Sequence, residues 1–182
     1  ACRLLHDRGY PVSVSVNLSL NSLTNVFLAD QITQLVKNAG IDPKHIILEV
    51  TESSTMTEVA SSLENLARLR MRGFGLSIDD YGTGTSNIQQ MTRVAFSELK
   101  IDQSFVRNCT GNEELCIVVK SSIEMAHKLK ISCIPAGVET QQDWTTLKEM
   151  DCDTAQGYFI AKPMDLPSFL EFCATYRPKL QA

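Results

Sequence analysis

The residues most able to do chemistry lie in Phe74–Ser86, which reads Phe-Gly-Leu-Ser-Ile-Asp-Asp-Tyr-Gly-Thr-Gly-Thr-Ser. An apolar run climbs to two adjacent carboxylates, Asp79 and Asp80, then breaks into a loop containing Gly82 and Gly84. Neighbouring side chains on a strand point to opposite faces. At the strand's last residue, where glycines free the backbone, two carboxylates can converge on one site. Held that close they repel unless a proton or a divalent cation lies between them. A surface turn is the competing reading, since Asp and Gly are also ordinary turn residues.

Similar polar punctuation recurs along the chain. Asn17, Glu49, Asp79 with Asp80, Lys100, Glu139 and Gln156 each fall at the end of a segment with strand character. In a parallel barrel, strand C-terminal ends share one face, where active sites are built. Three carboxylates and an amide oxygen are hard ligands, matched to Mg²⁺ or Mn²⁺. Two such cations ~4 Å apart would clamp a phosphodiester and activate a water for in-line attack. Lys100 could orient that water or neutralise developing charge. Taken singly, each residue has a plainer reading. Glu49 and Glu52 could be helix N-terminal charges, Lys100 a surface lysine, and Gln156 a loop hydrogen-bonder.

The elements that would position these residues alternate. A helix over residues 1–9 precedes a strand over Val12–Leu18, a helix over Phe27–Ala39 and a strand over His45–Val50. A helix over Val59–Arg70, a strand over Phe74–Asp79, a short helix over Asn87–Thr92 and a strand over Phe96–Asp102 follow. Then come a helix over Glu113–Leu129, a strand over Ile131–Val138, a helix over Gln142–Met150, a short strand or two over Thr154–Ile160 and a helix over Leu166–Tyr176. Alternation with short connections implies parallel strands joined by crossover helices. The 182 residues fall short of the ~250 of a typical eight-fold barrel. No linker or low-complexity segment divides them, so residues 1–182 read as one domain.

Composition narrows the function classes. The net charge of −4 offers no global basic field for nucleic acid, so DNA is not an expected partner. No apolar run approaches the ~20 residues of a membrane span. Six cysteines form no C-x-x-C pair, and His6, His45 and His127 are scattered, which points away from zinc. Cys116 and Cys133 lie in apolar runs and read as small buried hydrophobes. The expectation is a reducing, cytoplasmic compartment. The chain opens without Met, in what reads as the middle of a helix.

Taken together, Val-Asn17-Leu-Ser, Leu-Glu49-Val-Thr-Glu52-Ser, Asp79-Asp80-Tyr-Gly-Thr-Gly, Leu-Lys100-Ile-Asp102, Gly137-Val-Glu139-Thr and Ala-Gln156-Gly-Tyr resemble the EAL-domain phosphodiesterases, in order and spacing. The resemblance spans the whole chain. It implies an α/β fold, a modified TIM-type (β/α)₈ barrel, which opens bacterial cyclic-di-GMP to linear pGpG with two Mg²⁺ or Mn²⁺ ions. By the same resemblance, Asn17, Glu49, Asp79 and Asp80 are metal ligands, and Asp80 also belongs to the catalytic set. Lys100 holds the catalytic water, Gln156 lies beside the site as a catalytic and substrate-binding residue, and Asp102 binds substrate. Glu52 ties down the Asp-Asp-Tyr-Gly-Thr-Gly loop, which links the site to homodimerisation; Glu139 is a structural residue. Sensory or regulatory domains commonly accompany such a domain.

Two departures matter. The strand bearing the family's eponymous Glu-Ala-Leu would precede residue 1, so the barrel is expected to be incomplete at its N-terminus and the biological chain longer. The family's Glu-Gly-Val-Glu reads Ala136-Gly137-Val138-Glu139, without the second-metal carboxylate taken as general base. Thr85 often corresponds to Tyr, a lesser change. Losing a metal ligand or base typically costs about 10²–10⁴ in rate, so weak or absent hydrolysis is expected. An inert cyclic-di-GMP receptor is the second reading and a protein-interaction module the third.

Overall fold

In a computed structural model of the chain, residues 1–52, 60–84 and 94–176 are described. The expected helix at Asn87–Thr92, Thr85 and the start of the helix expected from Val59 lie outside them. The first half of the described chain runs α1 (Cys2–Asp7), β1 (Val14–Asn17), α2 (Leu20–Leu23), α3 (Leu28–Asn38), β2 (Ile46–Thr51), α4 (Ala60–Met71) and β3 (Gly75–Tyr81). The second half runs β4 (Glu98–Ile101), α5 (Gln103–Val106), α6 (Glu113–Leu129), β5 (Ser132–Pro135), α7 (Gln141–Glu149) and α8 (Leu166–Thr175). The strands form one sheet in the order β1-β2-β3-β4-β5, every neighbouring pair parallel.

The pairing register sorts the strand residues into rows. Asn17, Glu49, Ser77, Glu98 and Ser132 stand side by side across all five strands, a wholly polar row. One residue further along, Val50, Ile78, Leu99 and Cys133 are apolar and buried. Because side chains alternate with period two, the sheet has one polar face and one apolar face. The apolar face belongs to the same core as Leu66 and Leu69 of α4 and Val119, Ile123 and Ala126 of α6. Burying a Leu- or Ile-sized side chain stabilises by about 1.5–3 kcal/mol each, so this layer holds the sheet in place.

Local signals stop and start the helices. Asn112 caps α6 by accepting from the Leu115 N–H, with Glu113 and Glu114 in the first turn, where the helix dipole favours anions. Thr140 and Asp143 form a reciprocal capping box on α7.

Several expected boundaries change. The first strand starts at Val14, because a tight turn from the Val12 N–H to the Tyr10 carbonyl occupies the residues before it. The fourth starts at Glu98; just before it, Ser97 Oγ exchanges hydrogen bonds with the Leu76 backbone alongside the Ser97 N–H bond to the Leu76 carbonyl. The fifth ends at Pro135, since Gly137 at φ 84° turns the chain away. The strand expected within Thr154–Ile160 reduces to one parallel bridge between Ala136 and Gln156.

The cysteines also differ from expectation. Cys109 and Cys116 are joined in a disulfide with Cα atoms 4.7 Å apart, so Cys116 is not a free buried hydrophobe. The compartment drawn from unpaired cysteines thereby loses its premise. Cys133 is free and fully buried. Among the described residues, no helix is long and apolar enough to cross a membrane.

Candidate active site

The C-terminal ends of β2, β3 and β4 converge on Lys100. Its Nζ lies 3.1 Å from Glu49 Oε1 and 3.1 Å from Asp79 Oδ1. Glu49 and Lys100 are each 8% exposed, so one ammonium is shared by two carboxylates in a largely dry environment and a net negative charge remains. Burial works against the Lys100 charge, but the hydrogen bonds to Glu49 and Asp79 outweigh it and hold the amine above its ordinary value. Lys100 is therefore a fixed cation at neutral pH and cannot act as a base.

Asn17 is the register partner of Glu49, on the exposed edge strand β1. Asp80 follows Asp79 in a left-handed conformation, φ 56°. A non-glycine residue there signals backbone strain of the kind found at functional sites. Its N–H donates to Asp79 Oδ1 at 3.1 Å. Burial, then the charges of Asp79 and Asp102, raise the Asp80 carboxyl above its ordinary value, with Lys100 pulling the other way. Burial is the larger cause, and the repulsion from Asp79 and Asp102 that adds to it would be relieved by a bound cation.

The loop beyond is held from β2. Glu52 is buried, and its Oε2 accepts the Gly82 and Gly84 N–H groups, each at 3.0 Å. Gly82 has φ 101°, and a Cβ there would stand 2.8 Å from the Phe105 ring, so both conformation and contact demand glycine.

The remaining expected site residues are placed less centrally. Asp102 caps α5, its Oδ1 accepting from the Ser104 N–H at 2.9 Å. The exposed Gln156 is brought to the end of β5 by its bridge to Ala136, with its N–H on the Pro135 carbonyl at 3.0 Å. Gly157 makes this approach possible, since a Cβ would fall 2.0 Å from the Val138 carbonyl oxygen. Glu139 pairs with Arg107 at 2.6 Å and not with the Lys100 cluster.

Two residues of the polar face were missed in the sequence. Glu98 lies two residues before Lys100, on the same face of β4. Its carboxyl is raised by burial and by the Glu49 charge. Ser77, its register partner, is fully buried. The Ser77 hydroxyl makes no hydrogen bond of ordinary geometry and gives Glu98 only the weakest opposing pull. Alternation through Glu98-Leu99-Lys100 was the available signal.

Glu49, Asp79, Asp80 and Asn17 fit a hard divalent cation by donor chemistry and by the repulsion at Asp80. Among the described residues, no three His, Cys, Asp or Glu side chains form a ligating group; the Lys100 ammonium bridges Glu49 and Asp79 instead.

Comparison with known proteins gives consistent results. The family model described as EAL domain matches residues 1–163. Cyclic di-GMP phosphodiesterase RocR of Pseudomonas aeruginosa is 36% identical over 172 residues, covering 94% of this chain and 44% of RocR. Cyclic di-GMP phosphodiesterase NbdA of the same species is 34% identical, covering 96% of this chain and 22% of NbdA. The chain thus spans less than half the length of either relative. Among solved structures, the PaMucR phosphodiesterase in complex with c-di-GMP superposes with a TM-score of 0.87 at 32% identity, covering 92% of this chain and 68% of that one. The EAL domain of Mycobacterium smegmatis DcpA gives 0.89 at 26% identity, covering 96% and 79%.

Proposed function

The chain belongs to the EAL domain family, and from that premise we propose that it acts on cyclic-di-GMP, opening it slowly to linear pGpG. The five parallel strands among its described residues are part of the family's modified (β/α)₈ barrel, here incomplete. We read residues 1–182 as one such domain of a longer signalling protein, able to pair as a homodimer.

The observation that carries the activity is the Lys100 ammonium fixed between Glu49 and Asp79 at adjoining strand ends. Glu49, Asp79, Asp80 and Asn17 would hold Mg²⁺ or Mn²⁺, which supplies Lewis-acid stabilisation of the phosphodiester and a more acidic water. Lys100, cationic at neutral pH, orients the attacking water by accepting none of its protons and donating to its oxygen. The same charge opposes the negative charge that builds on the phosphoryl oxygens. Glu52 fixes the Gly82–Gly84 backbone, and with it the strained turn presenting Asp80. Gln156 presents an exposed amide to the ligand beside Ala136. Ala136 offers no proton acceptor, so this step lacks a general base from β5.

The test is a time course of cyclic-di-GMP conversion with excess Mn²⁺, read by chromatography, on the chain and on Ala136→Glu. Slow product accumulation, rising by about 10²-fold or more in the variant, is expected. Intact nucleotide with both proteins overturns the enzyme reading. Ala136 specifically favours one alternative, a cyclic-di-GMP receptor. Calorimetric binding without turnover, unaltered by Ala136→Glu, would establish it.

A further inference from the structure

One cavity of the described chain has none of the Lys100 cluster in its lining. It has a volume of about 240 Å³, and Trp144, Leu147, Cys152, Ala155, Ile160 and Tyr176 line it. Cys152 is thus one of the residues around a largely apolar chamber. Directly behind it is Cys133 of β5, free and 0% exposed. Cys152 Sγ lies 3.7 Å from the Cys133 carbonyl oxygen and 3.2 Å from that of Thr154. The adjoining Asp153 fixes this turn against β5: its Oδ2 accepts from the Cys133 N–H at 3.4 Å and pairs with His127 Nε2 at 3.1 Å.

We propose that Cys152 and Cys133 form a redox modification site, in which a small hydroperoxide entering the cavity oxidises Cys152 and Cys133 closes an intramolecular disulfide. The Cys152 thiolate attacks one peroxide oxygen, breaking the O–O bond, giving a sulfenic acid and releasing hydroxide. The Cys133 sulfur then attacks the Cys152 sulfur, and its proton leaves with the expelled hydroxyl as water. Two thiols lose two electrons in total and hydrogen peroxide becomes two waters. The roles are asymmetric. The hydrogen bond from Cys133 lowers the Cys152 thiol below its ordinary value, favouring the attacking thiolate, while the same bond and burial push Cys133 up. The product would tie the Asp151–Thr154 turn to β5, the strand that leads into Ala136 and the Gln156 bridge.

The test starts from fully reduced protein, adds hydrogen peroxide in slight excess, and maps tryptic peptides by mass. Cleavage after Lys148 puts Cys133 and Cys152 on different peptides, whereas Cys109 and Cys116 share one between Arg107 and Lys120. The expected result is a cross-linked peptide pair ~2 Da lighter than the sum of its reduced parts, with fragment ions placing the link on Cys133 and Cys152, since Cys173 shares the Cys152 peptide. Cys133→Ser should instead trap Cys152 as a dimedone-reactive sulfenic acid, ~16 Da heavier. Cys152→Ser, changing a less buried position, should leave Cys133 reduced. Circular dichroism confirms that each protein is folded. A folded chain that yields only the Cys109–Cys116 linkage, or Cys152 carried on to sulfinic acid with Cys133 untouched, overturns the proposal.

Discussion

At the scale of single residues, the site depends on one cation holding two buried anions. Removing the partner of a buried pair costs about 3–5 kcal/mol, because an uncompensated charge is left behind. Lys100→Ala strands both Glu49 and Asp79. At about 2–4 °C per kcal/mol for a chain of this size, metal-free Lys100→Ala is expected to melt on the order of 10 °C below the unaltered protein. Mn²⁺ should recover most of that loss, since the carboxylates it would neutralise are those left bare. Thermal melts of both proteins with and without Mn²⁺ check this; a variant whose melting ignores Mn²⁺ would remove Glu49 and Asp79 from the metal-binding set. Glu49, Asp79 and Lys100 were legible in the sequence because each stands next to apolar residues in a segment of strand character, where a charged residue is conspicuous. Glu98 was not, because it opens its strand, at the end remote from the strand-end residues, and only its two-residue spacing from Lys100 marks the shared face.

At the scale of elements, the Asp80 turn is held by β2 through Glu52 and is not self-supporting. The backbone N–H groups of Gly82 and Gly84 share one carboxylate oxygen of a residue that is 4% exposed. Glu52→Ala is expected to accelerate amide exchange at Gly82 and Gly84 by about tenfold or more, for a loss of roughly 1.5–3 kcal/mol in charged hydrogen bonds. Exchange in β2 and β4 should change far less. Equal acceleration throughout the sheet would mean that Glu52 supports the fold generally and not the loop. Alternating βα order was also legible, through strand periodicity and capping residues. Strand ends were not, because periodicity does not encode the turn at Gly137 or the hydrogen bonds of the Ser97 side chain. The Cys109–Cys116 disulfide was equally hidden, since cysteine spacing alone does not fix pairing.

At the scale of the whole molecule, the polar face makes stability depend on pH. Glu98 is held above its ordinary value of 4.5 by burial and the Glu49 charge. Over a window extending upward from that value, the folded protein keeps a proton that the unfolded chain has lost. Stability therefore falls as pH rises through the window and recovers as pH is lowered into it. Asp80 acts in the same sense, chiefly through burial. Below the ordinary carboxylate range the trend reverses, because Asp30 is held low by Arg72 and Arg68, Asp42 by Lys44 and Asp165 by Ser168. The metal-free protein is expected to melt highest in mildly acidic solution, and Glu98→Gln should flatten the decline toward neutrality. Melting curves across pH measure this; an unchanged slope in the variant assigns the dependence elsewhere.

The sheet's spatial order repeats its order in the chain, each strand pairing with the one made just before it. Growth of the structure can therefore be vectorial. As the polypeptide leaves the ribosome, each of the described strands after β1 meets an edge already made. The two halves of the charge cluster arrive in the same sequence, with Glu49 and Asp79 emerging before Lys100. Until β4 docks, the nascent sheet carries Glu49 and Asp79 without a cation, and the arrival of Lys100 is the moment at which they first share a compensating positive charge.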